Sequence, residues 1–82
     1  MGLDPVVYDA EADALYVRFT DLPVGRSVSL DDLRMIDYSA DGAVVGIEFI
    51  DVSGGIDLRD VPFGRRVEEL IHGYGKQFKI LV

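Results

Sequence analysis

The sequence predicts an α+β domain: a small, mostly antiparallel β-meander sheet of five or six strands with one C-terminal helix. Three observations carry that reading. Residues alternate in character along Ala14–Thr20 and again along Arg26–Leu30, the period of two expected of a half-buried strand. Asp41-Gly42 supplies the positive φ angles of a tight hairpin between two apolar runs. Phe63, Val67, Leu70 and Ile71 recur at i, i+4, i+7 and i+8, which is the apolar stripe of an amphipathic helix.

The elements follow in order. Val6–Asp9 is the first strand, and an acidic turn at Ala10–Asp13 leads into the second, Ala14–Thr20. There Leu15, Val17 and Phe19 share one face; Ala14, Tyr16 and Arg18 share the other. Pro23 and Gly25 punctuate the loop after it. In the third strand, Arg26–Leu30, Val28 and Leu30 point one way while Ser27 and Ser29 point to water. Asp31-Asp32 breaks it, Leu33–Tyr38 forms the fourth strand, and Ala43–Asp51 forms the fifth. A two-residue Asp41-Gly42 loop sets Tyr38 opposite Val45 and Ile36 opposite Ile47; a three-residue loop ending at Gly42 shifts that pairing. Ile56–Val61 reads as a connector, Asp60 as a helix N-cap, and Pro62 as a first-turn residue whose missing N–H is harmless there. Gly73 or Gly75 ends the helix, and the alternation of Gln77–Val82 reads as a last strand.

Eighty-two residues make a single domain, 1–82, with the sheet at 6–51 and the connector, helix and last strand at 56–82. A chain of this size buries roughly 60–65% of its unfolded surface, so its core is thin. There is no cysteine, hence no disulfide, thiolate nucleophile or cysteine zinc site. A helix of about 11 residues is only ~16 Å long and cannot cover both faces of the sheet. One face or edge is therefore expected to be wet or buried against a partner. Net charge is −7, with eleven of the fifteen acids being Asp, so direct nucleic-acid binding is not expected. The N-terminus lacks the basic and apolar regions of a signal peptide, and no run reaches the roughly 18 apolar residues of a membrane span. The expected setting is cytoplasmic.

Several residue clusters have the composition of chemical sites. Asp37, Ser39, Asp41, Gly42, Val44 and Glu48 fit positions one, three, five, six, eight and twelve of a calcium loop. Strand formers flank them instead of helices, and in an extended strand Glu48 lies ~20 Å from Gly42, so a hairpin is expected. Asp9, Glu11 and Asp13 sit on a short turn and are expected to accept backbone N–H groups there. His72, the one histidine, stands near the helix C-terminus, where the dipole favours a cation. Ser53, followed by Gly54-Gly55, lacks the preceding glycine of a nucleophile elbow and the lysine of a phosphate loop. Arg65 and Arg66 occupy the dipole-disfavoured first turn and, with Arg59, are expected to meet acids such as Glu68 and Glu69, other parts of the sheet, or a second subunit. No catalytic residue, cofactor site or metal site is assigned.

Two runs together are specific. Tyr8-Asp9, Glu11-Ala12-Asp13-Ala14-Leu15-Tyr16 and then Asp37, Asp41-Gly42 and Val45-Gly46-Ile47-Glu48 resemble an uncharacterised bacterial family, domain of unknown function 2283. Ala10 departs from the proline common there, which loosens the turn. The resemblance implies a small sheet protein without an established activity or catalytic residues. It also implies an antitoxin-like setting, since members often accompany small toxin-like ribonuclease-fold proteins. The leading expectation is a non-catalytic protein-interaction module that binds a small basic protein. The alternative is a self-associating structural or small-ligand domain, a homodimer burying the uncovered sheet face.

Overall fold

The computed structural model describes residues 5–81. Strands form where β-branched and aromatic residues gather, and each ends where Asp, Gly or Pro intervenes. β1 (Val6–Asp9) and β2 (Ala14–Arg18) make a hairpin. β3 (Arg26–Asp31), β4 (Arg34–Tyr38) and β5 (Val44–Ile50) make a three-stranded meander. Antiparallel pairing of β2 with β5 joins the two pieces into one five-stranded sheet ordered β1-β2-β5-β4-β3. The strands are thus not neighbours in simple chain order, because the loop after β2 carries the chain across the sheet end to the far edge. Phe19 N–H donates to the Val45 carbonyl at 2.8 Å and Gly25 N–H to that of Tyr38 at 2.7 Å, tying the loop down as it crosses. A Cβ at Gly25 would lie 2.6 Å from the Ala40 nitrogen, so only glycine permits this crossing.

The β4–β5 loop settles the open register. Ser39 N–H donates to the Ala43 carbonyl at 2.8 Å, so the loop has three residues ending at Gly42, whose φ is 92°. Tyr38 accordingly faces Val44 and not Val45, while Ile36 still faces Ile47. Val45 is the extra residue of a bulge that restores the pairing in between. Leu30 is a second bulge, on β3, between the Ser29–Met35 and Asp31–Arg34 pairs.

After a 3-10 turn at Val52–Gly54 come β6 (Ile56–Asp57), α1 (Gly64–Gly73) and β7 (Ile80–Leu81). β7 pairs parallel with β6, so the expected last strand is short and joins the connector instead of the main sheet. Val82 lies outside the described residues. The helix begins later than its expected cap: Phe63 occupies the N-cap position with φ 57° and no side-chain cap, while Asp60 and Pro62 precede it. The proline disfavours helical geometry at Val61, and the left-handed residue then redirects the chain. Phe63 leaves the apolar stripe for the same reason and is 63% exposed.

The core lies on one side of the sheet. Leu15, Val17, Ile47 and Phe49 are sealed beneath Val52, Ile56, Val67 and Ile71. Each such side chain contributes about 1.5–3 kcal/mol of burial. Helix and connector cover that face alone.

Candidate interaction surface: the uncovered sheet face

Cross-strand partners share a face, so the pairing assigns the residues pointing away from the helix. One row across the sheet runs Val7, Tyr16, Glu48, Met35 and Ser29; the next runs Arg18, Gly46, Asp37 and Ser27. A third, shorter row places Asp9, Ala14 and Ile50 together. Val7 is 51% exposed and Ile50 41% exposed on this face.

Its centre is built by a glycine. The Tyr16 side chain lies across Gly46, and its hydroxyl donates to Asp37 Oδ2 at 2.8 Å. A Cβ on Gly46 would come within 2.3 Å of that hydroxyl, so the backbone must be bare for the ring to cross β5. Ser27 Oγ donates to Asp37 Oδ1 at 2.6 Å, which gives each carboxylate oxygen a donor. The Arg18 guanidinium sits 5.2 Å from the Tyr16 ring centroid, close enough for a cation–π contact. Its Nε is buried without a hydrogen-bond partner. Burial, and next the hydrogen bond to Asp37, push the Tyr16 hydroxyl up to about 12. A phenol so far from neutral pH is a fixed donor, not an acid–base couple. The arrangement therefore offers a rigid, polar and acidic tray flanked by apolar side chains.

The candidate residues of the sequence are dispersed in the fold. The twelve-residue calcium pattern is a hairpin: Asp37 is clamped by Tyr16 and Ser27, Asp41 accepts from the buried Ser39 hydroxyl, and Glu48 stands opposite Met35. Asp9 accepts from the N–H groups of Glu11 at 3.1 Å and Ala12 at 3.2 Å, as a turn residue should. Asp13 does something the local reading missed. It accepts from Ser53 N–H at 3.1 Å and Ser53 Oγ at 2.6 Å, and from Tyr8 at 3.3 Å, pinning the first turn to the chain after β5. The Ser53 hydroxyl bond is the chief cause of its lowered pKa. His72 is exposed and 3.9 Å from Glu68. Arg66 approaches Glu69 at 3.6 Å, and Arg59 pairs with Asp57 at 2.8 Å, holding that carboxyl well below the usual range. Among the described residues, no three of His, Asp and Glu gather to hold a metal ion.

Arg34 went unnoticed in the sequence. It occupies a core-side position of β4, is 9% exposed, and donates to Asp31 Oδ2 from Nη2 at 2.7 Å. Its Nη1 donates to the Asp57 carbonyl at 3.1 Å and to that of Arg59, so it ties the sheet to the connector. The cleft beside it holds about 160 Å³, less than the roughly 300 Å³ at which small-molecule sites begin.

These features define a small acidic domain whose antiparallel sheet is covered on one face only. The chain belongs to the family described as "Protein of unknown function (DUF2283)", whose model matches residues 6–53. That span holds all five strands of the main sheet and most of the 3-10 turn, and none of the helix. No curated protein and no solved structure is significantly similar to the chain. Among the described residues, no helix is long and apolar enough to cross a membrane.

Proposed function

We propose that this chain is a non-catalytic protein-interaction module whose uncovered sheet face receives a small basic protein, in the manner of an antitoxin. The observation that carries the reading is the face itself: Val7, Met35 and Ile50 interleaved with Asp9, Asp37 and Glu48 around a pre-ordered Tyr16. Apolar groups supply the desolvated centre of an interface, and the acids speed encounter with a cationic partner. The charge is unevenly placed, which strengthens the argument. Residues 1–55 hold eleven of the fifteen acids and only three of the eight basic residues.

The test is gentle purification of the tagged chain from its source organism, with mass spectrometry of the chains that accompany it. A stoichiometric small basic protein, whose activity this chain suppresses, is the expected result. Recovery of this chain alone, or of a partner that it does not inhibit, overturns the antitoxin-like reading. The second reading, self-association through the same face, draws on the exposure of Val7 and Ile50 there. It predicts a dimer dissociated by Val7→Lys.

A further inference from the structure

We infer that two copies of this chain associate edge to edge through β3, extending the five-stranded sheet into one of ten strands. β3 is an outer strand, hydrogen-bonded to β4 on one side only. It is six residues long and exposed at every position but Leu30. Outer strands of natural sheets are blunted by lysine, proline or a bulge; Arg26–Asp31 contains no lysine or proline, its charges stand at its two ends, and its one bulge, at Leu30, leaves Arg26–Ser29 regular. β1, at the opposite edge, is four residues long and follows Pro5, whose nitrogen cannot donate.

The strand is complementary to itself when reversed. A two-fold axis normal to the sheet sets Val28 against its counterpart and Ser27 against Ser29 of the second copy. Val28 is 42% exposed, on the side of the sheet that carries the core, where a second valine would cover it. The bulge at Leu30 matters here. It turns Asp31 to the same side as Arg26, since Asp31 pairs with Arg34 and Arg26 with Tyr38. Arg26 of each copy then meets Asp31 of the other, twice over, with the exposed Asp32 beside it. Asp31 keeps capacity for this contact: Arg34 fills Oδ2 from Nε at 3.0 Å and Nη2 at 2.7 Å, but Leu33 N–H alone occupies Oδ1 at 2.9 Å, leaving a lone pair there.

The geometry has a consequence for binding. An axis normal to the sheet keeps both uncovered faces on the same side, so the pair presents one continuous acidic surface twice as wide. The association itself does not depend on the basic-partner reading, and its test is separate.

The experiment is sedimentation velocity on the intact chain from micromolar to near-millimolar concentration, at low and high salt, with amide hydrogen exchange on the same samples. The expected result is a monomer–dimer equilibrium weakened by salt, with concentration-dependent protection in Arg26–Asp31 and none in Val6–Asp9. Val28→Lys abolishes the dimer while leaving the melting temperature of the dilute monomer unchanged, because the side chain is already half exposed. Arg26→Asp weakens it about tenfold by setting like charges opposite each other. A monomer at every concentration overturns the inference. So does a dimer that resists Val28→Lys or whose protection maps to Val6–Asp9 or to the uncovered face.

Discussion

The two faces of the sheet are held by different physics. On the covered face, Leu15, Val17, Ile47 and Phe49 are sealed from water under the helix and connector, and close packing does the work. On the uncovered face, Tyr16, Asp37 and Ser27 are fixed by directed hydrogen bonds over a bare Gly46, with little apolar burial around them. Burial is worth about 1.5–3 kcal/mol per side chain, a hydrogen bond about one. The covered face therefore determines whether the chain folds. The uncovered face can change its residues at small cost to the fold, which is the freedom a binding surface needs.

That contrast orders the expected effects of mutation. Phe49→Ala opens a cavity in the sealed core and is expected to cost about 3–5 kcal/mol in a urea unfolding titration. Arg34→Ala comes next, at about 2 kcal/mol, because the Asp57 and Arg59 carbonyls lose their buried donor. Gly46→Ala forces Tyr16 off Asp37 and is expected to cost about 1–2 kcal/mol. Its Tyr16 hydroxyl should also titrate nearer its ordinary value in ultraviolet spectra. Phe63→Gly is the smallest, within about 0.5 kcal/mol, since relief of a left-handed phenylalanine offsets the lost edge contact with Phe19. An Arg34 effect smaller than that of Phe63 would break the comparison.

pH separates the faces too. The Tyr16 pKa is raised in the folded state from 10.0 to about 12. Its contribution to stability is thus complete below pH ~10 and is lost as pH rises from there through the folded value. Tyr16→Phe should flatten the stability profile in that alkaline window and leave the acid limb alone. Asp13 and Asp31 have lowered values, through Ser53 and Arg34 respectively. Their contributions are present above the ordinary carboxylate range and are lost as pH falls through the folded values. Ser53→Ala should move the Asp13 titration upward, as read by carboxyl NMR.

Much of the covered face was legible in the sequence; of the uncovered face, its existence and the shared side of Ala14, Tyr16 and Arg18 were legible, and the contacts across it were not. Alternation sets Leu15 and Val17 on one face, and the helical period sets Val67 and Ile71 on one stripe, because burial leaves a periodic trace. The Asp-Gly turn locates the β4–β5 hairpin, yet the bulge at Val45 has no local signature. Strand order was hidden as well: what carries the chain across the sheet end is the clearance at Gly25, visible only once Ala40 is beside it. The Tyr16–Asp37 bond joins residues 21 apart, and Asp13–Ser53 joins residues 40 apart. Contacts of that range depend on register, so spacing along the chain does not announce them. A glycine in the middle of β5 was the one available sign that another side chain crosses there.

On the proposed function, the uncovered face serves binding and not folding. The most direct test is a variant carrying Val7→Lys and Glu48→Lys, compared with the wild-type chain in melting temperature and in co-purification from the source organism. The expected result is an unchanged melting temperature and loss of the accompanying basic protein. A variant that melts normally and retains that partner at full stoichiometry would contradict it.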